Sequence, residues 1–310
     1  MTSALQTPDA RARLALALLW VTPALWAVNH IVARSARGVV EPHMLALGRW
    51  ALAGVILAVI VRAELRRDWR AVVAVWHQYV VLGVLGMLVC GAWVYLGAKT
   101  TQAMNISLIY AAAPVLISLG SVLWLKERLN RAQLLGVAIA LAGVVHVVVK
   151  GQWAALGQVQ WVPGDGWIVL ATVAWALYAL LQKMWPSALS ATARLACICM
   201  GGVLVLLPFA IWESGLASTP AWSWRATWLT VLAALAPGLG AYWIYGWAQK
   251  ILGASRVAVT LYLGPPYAAV AAYWVLGEPL GWHHLAGATL IFTGVFLVTR
   301  APGTPRKIVR

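Results

Sequence analysis

The sequence predicts an all-α integral membrane protein in which ten transmembrane helices form two inverted five-helix repeats around a central cavity. The prediction depends on the composition, the spacing of the apolar runs and an internal repeat. Of the 310 residues, 63% are hydrophobic and only 10% are charged, whereas a soluble domain is about 25% charged. Too few polar side chains are present to cover a water-exposed surface, so we expect no soluble domain.

Ten apolar runs follow one another along the chain, separated by basic or Pro- and Gly-rich segments. Each run is close to the length of about 20 residues that a helix needs to cross a bilayer. The predicted spans 1 to 10 cover residues 14–33, 43–61, 78–97, 102–124, 131–149, 166–184, 191–211, 227–248, 254–276 and 281–299. The two longer connections, 150–165 and 212–226, are rich in tryptophan, which prefers the membrane interface.

The net charge of +15 would indicate a nucleic-acid partner in a soluble chain. Here the basic residues stand at the ends of the spans and form no clustered face, so we expect no nucleic-acid partner. With both termini in the cytoplasm, 17 of the 23 basic residues lie on the inner side and five on the outer side. Because cytoplasmic loops carry the excess of Lys and Arg, this split predicts cytoplasmic N- and C-termini.

The two halves of the chain share motifs at a constant offset of 151 residues. The pairs at this offset are Pro114 and Pro265, Glu127 and Glu278, Gly136 and Gly287, and Gly143 and Gly294. We therefore predict two domains of five spans each, residues 1–150 and 151–310. An odd number of spans inserts the second copy upside down, and inverted repeats are typical of secondary transporters that bind their substrate near the midplane.

The repeated motifs resemble those of a known family. Each half has a Pro-containing helix, a Leu-x-Glu-x-Leu joint and a last helix with a Gly-x6-Gly pattern. Span 1 contains Ala-Leu-Trp-Ala-Val-Asn at residues 24–29, and span 2 contains Leu-Gly-Arg-Trp at Leu47–Trp50. Over roughly residues 14 to 300 the chain is similar to the EamA branch of the drug/metabolite transporter superfamily. Its tryptophan-rich composition also resembles that of the YddG-type aromatic amino-acid exporters.

The resemblance implies a secondary transporter of the bacterial inner membrane that exports aromatic and other neutral amino acids by alternating access. A broad exporter of drugs or metabolites, with or without proton coupling, is the alternative. The sequence has no polar catalytic cluster near an interface, so we predict no enzyme. It also has no Walker A motif, Gly-rich nucleotide loop or metal-ligand spacing, so we predict no cofactor and no metal. The expected partners are the small-molecule substrate and the lipid bilayer, and the oligomeric state is left open.

The eight acidic residues lie in tails, in loops or at the ends of spans. Proton-coupled transporters commonly keep a carboxylate within the membrane, so this distribution favours an uncoupled facilitator. Glu127 and Glu278 each precede a helix, where a carboxylate favours the positive end of the helix dipole; a gating role is the alternative. Arg49, inside span 2, is expected to snorkel to the outer interface, the alternative being a pairing with a substrate carboxylate.

Aromatic and polar residues near the midplane are the candidate substrate-binding residues. An apolar cage with a few hydrogen-bonding groups fits a zwitterion with an apolar side chain. The predicted binding residues are Trp26, Asn29, Tyr95, Ser107, Tyr110, Trp175, Tyr178, Gln182, Tyr245 and Tyr262, with Trp93, Tyr242 and Trp243 as further aromatic candidates. Pro114, Pro265 and Pro266 are expected to kink spans 4 and 9 beside the cavity, because proline removes a backbone hydrogen bond.

Overall fold

The computed structural model describes residues 8–36, 38–101, 106, 109–158, 161–216, 223–264, 266–267, 270, 273–274 and 281–300, and no strand occurs among them. The longer helices and the helical segments used below are α1 (Pro8–Ser35), α2 (Pro42–Ile60), α3 (Arg62–Arg67), α4 (Trp69–Ala74), α5 (Trp76–Gly97), α6 (Ala113–Leu123), α7 (Arg131–Val148), α8 (Pro163–Met184), α9 (Ala191–Leu216), α10 (Trp224–Leu252), α11 (Ala254–Leu263) and α12 (Trp282–Arg300). A short 3₁₀ helix, Trp153–Gln158, lies in the connection between α7 and α8.

Eight of these helices are long and apolar enough to cross a membrane: α1, α2, α5, α7, α8, α9, α10 and α12. They correspond to eight of the ten predicted spans, so the chain is a multi-pass membrane protein. Spans 4 and 9 are represented in the described part of the chain by α6 and α11, which are apolar but shorter than a spanning helix. The remaining residues of these two spans include positions that the structure does not describe.

Two of the spanning helices, α5 and α10, contain a π-helical segment. These segments cover Val84–Trp93 and Ala234–Ala241, and their starts are 150 residues apart. Pro237 lies in the second segment, where its missing N–H cannot complete an α-helical ladder. The widened turns bring the two helices into polar contact, since the Tyr242 hydroxyl donates to the Gly86 carbonyl oxygen at 2.9 Å. Such segments occur frequently at functional sites.

The helices before residue 150 pack mainly against those that follow it. Among the described elements, α1 packs on α10, α2 on α9, and α7 on α12. In the same way α5 contacts α8 and α9, and α6 contacts α8 and α11. The largest cluster of buried side chains includes residues from both parts of the chain. The apolar core is therefore shared between the two halves of the sequence.

Glycines allow α7 and α12 to approach until their backbones touch. A Cβ atom on Gly136 would lie 2.7 Å from the Gly294 carbonyl oxygen, and one on Gly143 would lie 2.8 Å from that of Gly287. Only glycine permits this approach, as at other crossings of membrane helices. Residue numbers rise along α7 as they fall along α12, because Gly136 faces Gly294 and Gly143 faces Gly287. The two helices are therefore antiparallel.

Charged side chains close the ends of helices on both sides of the chain midpoint. Arg194 is only 4% exposed, and its guanidinium donates to the carbonyl oxygens of Gln182 and Trp185, each at 2.7 Å. These carbonyls lie in the last turn of α8 and at the residue that follows it, where the helix itself supplies no donor. Arg194 thus ties the end of α8 to the start of α9.

The expectation that Glu127 stabilises the helix immediately following it is wrong. A capping box begins α7 instead, in which the Asn130 side chain accepts from the Gln133 N–H and the Gln133 side chain accepts from that of Asn130. Glu127 turns to α11, where it accepts from the Ala254 N–H at 3.2 Å and from the Ser255 hydroxyl at 2.9 Å. Because α7 satisfies its own first turn, the carboxylate is free to cap a helix distant in sequence. Its repeat partner Glu278 lies outside the described residues.

Candidate functional site

Five aromatic side chains from three helices meet in the interior and form what we call the aromatic cage: Trp26, Trp175, Tyr178, Tyr242 and Tyr245. The Trp175 ring is central, since its centroid lies 5.3–5.5 Å from those of the other four. Edge-to-face and offset contacts at these separations are the favourable geometries for aromatic rings. Four of the five side chains are buried, and Trp26 is half-buried. All five are among the candidate residues that the sequence predicts.

The helical repeat explains how each pair of cage residues comes to share a face. Trp175 and Tyr178 are three residues apart on α8, and their rings stack at 5.3 Å with an interplanar angle of 18°. Tyr242 and Tyr245 have the same spacing on α10, directly after its π-helical segment. Residues at this spacing are neighbours on a helix surface. Trp26 reaches the cage from α1 and presents its edge to Trp175 at 86°.

Several polar atoms in and beside the cage have no hydrogen-bond partner among the described residues. They are the Trp175 indole Nε1, the Tyr245 hydroxyl and the indole Nε1 of Trp50. Trp50, which is completely buried on α2, contacts the cage through Tyr242 at 4.8 Å. Leaving a buried donor unsatisfied costs about 1–3 kcal/mol. A ligand with apolar and hydrogen-bonding parts would therefore gain both surface burial and polar contacts here.

A polar triad of Arg49, Asn29 and Tyr95 lies next to the cage. The Arg49 Nη1 donates to the Asn29 Oδ1 at 3.0 Å and to the Tyr95 hydroxyl oxygen at 3.5 Å. The Tyr95 hydroxyl itself donates to the Asn29 Oδ1 at 2.7 Å. Asn29 and Tyr95, both predicted binding residues, are thus brought together with a cation.

The expectation that Arg49 snorkels to the outer interface is wrong. Its side chain is only 3% exposed, and its Cζ lies 4.4 Å from the Trp50 ring centroid and 6.0 Å from that of Tyr242. Cation–π contacts and two neutral hydrogen-bond acceptors hold the guanidinium in the interior. The sequence does not distinguish these outcomes, because partners for Arg49 come from α1, α5 and α10. Trp50 was not among the candidate binding residues, although it directly follows Arg49.

Of the other predicted binding residues, two lie beside the helices that carry the cage, one lies in a separate cluster, and one is not described. Tyr262 is buried in a separate cluster with residues of α7 and α12, so the structure does not bring it to the cage. Tyr110 packs against a cluster that includes Val89 and Trp93. The Gln182 side chain lies beside Gly246 of α10, where a Cβ would be 3.6 Å from its Oε1. Ser107 is not described.

The structure interrupts span 4 just before Pro114, and the place of the predicted proline kinks beside the cavity stays a prediction. A turn at Ala111–Ala112 precedes α6, and Pro114 occupies the first turn of that helix, where its missing N–H needs no partner. Pro266 lines a cavity of about 590 Å³ with Tyr267 and residues of α7 and α12, away from the cage. Pro265 is not described. Among the described residues, the two π-helical segments are helical irregularities that contact the cage, through Gly86 and Tyr242.

The structure thus defines a multi-pass helical membrane protein with a buried aromatic and cationic centre. The chain is a member of the EamA-like transporter family, which matches it twice, at residues 13–149 and 162–300. The family resemblance inferred from the repeated motifs is thereby confirmed, and the chain is a transporter of this family.

Individual relatives extend over most of the chain. It is 26% identical over 287 residues to the uncharacterized transporter YyaM of Bacillus subtilis, covering 89% of this chain and 90% of that one. It is 30% identical over 220 residues to a probable terminal-alkyne amino-acid exporter of Streptantibioticus cattleyicolor, covering 70% and 71%. One crystal structure, 20% identical, shares the fold with a TM-score of 0.70 over 92% of this chain and 96% of that one.

Proposed function

We propose that this protein is a secondary transporter that exports amino acids, aromatic and other neutral ones above all, from the cytoplasm. The observation that carries the proposal is the aromatic cage with its unpartnered polar atoms, since apolar ring faces suit an amino-acid side chain and the free donors suit its polar end. The relative from Streptantibioticus cattleyicolor, a probable exporter of terminal-alkyne amino acids, supports the same substrate class.

We further propose that residues 1–150 and 151–310 are two inverted repeats of five spans each, with α6 and α11 as parts of the fourth and ninth spans. The antiparallel contact between α7 and α12 supports inversion, because Gly136 and Gly143 are the repeat equivalents of Gly287 and Gly294. The two π-helical segments, which begin 150 residues apart, support the same relation. In this arrangement the cage lies between the repeats, and their relative rocking gives alternating access.

The distribution of basic residues supports an inner-membrane location with both termini in the cytoplasm. The loop between α2 and α5, which would then be cytoplasmic, carries Arg62, Arg66, Arg67 and Arg70. An excess of Lys and Arg is the mark of cytoplasmic loops. In this orientation the cage would open alternately to the cytoplasm and to the outer side of the membrane.

The experiment that tests the substrate class is a flux measurement in liposomes that contain the purified protein. We expect exchange of radiolabelled phenylalanine, tryptophan and leucine above that of protein-free liposomes, and no movement of cationic dyes. The cage provides ring contacts for the three apolar side chains. Flux of dyes without flux of any amino acid would overturn the proposal in favour of a broad drug exporter.

We expect transport to be uncoupled from the proton gradient, because the described carboxylates are engaged away from the cage. Asp68 lies between α3 and α4, where its hydrogen bonds with Arg67 hold the pKa of the carboxyl below its ordinary value. The most buried of the described carboxylates, that of Asp165, accepts from the Thr101 hydroxyl and from the Val162 N–H. The Glu213 carboxylate accepts from the His43 Nδ1 at 2.9 Å. No described carboxylate belongs to the cage or the polar triad.

In the liposomes, collapsing an imposed pH gradient with a protonophore is expected to leave the initial rate of phenylalanine uptake nearly unchanged. The internal pH is buffered so that only the gradient differs between the two conditions. Uphill accumulation of phenylalanine driven by a pH gradient alone would show that the protein couples transport to protons. The pair His43 and Glu213 would then be the first to replace.

A further inference from the structure

Arg49 is a buried cation for which the described part of the chain provides no counter-ion. It is the eighth residue of α2, about 10 Å from the start of that helix at 1.5 Å per residue. No described carboxylate lies within 4.0 Å of it. The described carboxylates with known partners are engaged elsewhere: Glu41 with Lys99, Glu64 with Ser190, Asp68 with Arg67, Glu127 with Ser255, Asp165 with Thr101, and Glu213 with His43.

The two polar partners of Arg49 orient the guanidinium without neutralising it. Both hydrogen bonds leave from Nη1, to Asn29 and to Tyr95, and these acceptors are uncharged. The Nε has no hydrogen-bond partner among the described residues. Nε and Nη2 together form the edge on which a guanidinium receives a carboxylate through two parallel hydrogen bonds. The polar triad therefore fixes one side of Arg49 and leaves its bidentate edge unused.

The Arg49 guanidinium lies at the boundary of the cage. The Arg49 Cζ is 6.0 Å from the Tyr242 ring centroid, and that ring is 5.4 Å from the ring of Trp175. A Cβ atom on Gly238, in the π-helical segment of α10, would lie 3.3 Å from the Arg49 Nε. Glycine at this position keeps the edge free of a side chain. A carboxylate on this edge would place the rest of its molecule near the aromatic rings.

We propose that Arg49 binds the carboxylate of the transported substrate, with Asn29 and Tyr95 as positioning residues that present its free edge to the cage. This rests on the proposed function and narrows it, because it makes a free carboxylate a requirement of transport. Pairing with the substrate supplies the counter-charge that a buried cation otherwise lacks. Amines and amides of the same shape cannot form the two charge-assisted hydrogen bonds, so they are expected to bind more weakly.

The test uses the intact protein and four probes that share a phenyl group. Phenylalanine and phenylpropionate carry a carboxylate, whereas phenylalaninamide and phenylethylamine do not. Competition against radiolabelled phenylalanine in liposomes, together with thermal stabilisation of the detergent-solubilised protein, reports binding of each. For the unaltered protein we expect both carboxylates to bind and the amide and amine to bind at least about 30-fold more weakly, the smallest loss typical of breaking a buried charge pair.

Two substitutions locate the effect at Arg49. Arg49→Gln is expected to reduce the affinity for phenylalanine about 30-fold or more and to abolish the preference for acid over amide. Arg49→Lys keeps the charge without the planar fork, so it is expected to retain part of that preference. The exposed Arg128 gives the matched control, Arg128→Gln, which is expected to leave both affinity and preference unchanged.

The outcomes separate this proposal from the proposed function. Equal binding of phenylalanine and its amide by the unaltered protein would overturn the role of Arg49 even if amino acids are transported. Binding of phenylpropionate and other carboxylates, lost in Arg49→Gln, without binding of any amino acid would overturn amino-acid export and support the role of Arg49. The comparison in the unaltered protein holds even if Arg49→Gln fails to fold.

Discussion

Replacing Trp175 by alanine is expected to weaken the binding of phenylalanine by about 5- to 150-fold, while most of the protein still reaches the membrane. The Trp175 ring contacts all four other members of the aromatic cage. Its removal would therefore leave each of these four rings without one of its neighbours. Losing the contact area of one buried aromatic ring corresponds to about 1–3 kcal/mol of binding free energy. The affinity for leucine, which has a smaller side chain, is expected to fall less in this variant than the affinity for phenylalanine.

The measurement is the concentration dependence of phenylalanine exchange in liposomes, divided by the amount of folded protein. Trp228→Ala is the matched control, because Trp228 lies on α10 with 58% of its surface exposed and belongs to no aromatic pair of the cage. The control should exchange phenylalanine as the unaltered protein does. Identical affinity for Trp175→Ala and the unaltered protein would place the cage outside the substrate path.

Replacing Gly143 by leucine is expected to prevent α7 and α12 from packing and to reduce sharply the yield of folded protein. A Cβ atom alone would meet the Gly287 carbonyl oxygen at 2.8 Å and the Ile291 N–H nitrogen at 2.9 Å. Both are backbone atoms, which cannot move aside as a flexible side chain can. Overpacking ordinarily costs about 1–3 kcal/mol, and a collision with backbone lies at the upper end of that range.

The effect is measured by fluorescence-detected size-exclusion chromatography after heating. We expect Gly143→Leu to lose its monodisperse peak at a lower temperature than the unaltered protein does. Gly166→Leu on α8 is the matched control, because a Cβ atom there meets nothing within 4 Å. Both substitutions add the same apolar side chain to a glycine in a helix. Equal thermal stability of the two variants would mean that the glycine contact between α7 and α12 does not hold these helices together.

Much of the fold follows from the sequence, because the bilayer sets the length and polarity of each span. Eight predicted spans correspond to helices of the structure, within a few residues at most ends. The two exceptions, spans 4 and 9, contain the repeated prolines, and their described parts are the short helices α6 and α11. A hydropathy pattern records how apolar a run is, but not where its backbone hydrogen bonds are interrupted.

The candidate site was only partly predictable. The spacing of three residues predicts that Trp175 and Tyr178 share one helix face, and their rings do stack. An amide is costly in lipid, which predicts that Asn29 faces the interior, where it contacts Arg49 and Tyr95. The inward position of Arg49 was missed, since a long basic side chain near a helix end can reach either the interface or an interior partner. Tyr262 is a candidate because it lies near the prolines of span 9, but tertiary packing puts it in a different cluster. The positions of Arg49 and Tyr262 both depend on packing between helices that are distant in sequence.

The polar triad has a consequence for the order in which the protein is assembled during synthesis. Asn29, Arg49 and Tyr95 belong to α1, α2 and α5, which leave the ribosome before α8 and α10 have been made. The charge of Arg49 enters the bilayer before the aromatic cage exists. Of its two hydrogen-bond acceptors, Asn29 is made before it and Tyr95 soon after it, both before Trp175 and Tyr242. Trp175 and Tyr242 arrive later and enclose a guanidinium that is already oriented. The N-terminal helices thus provide the hydrogen-bond partners of Arg49, and the C-terminal helices add most of the aromatic cage beside it.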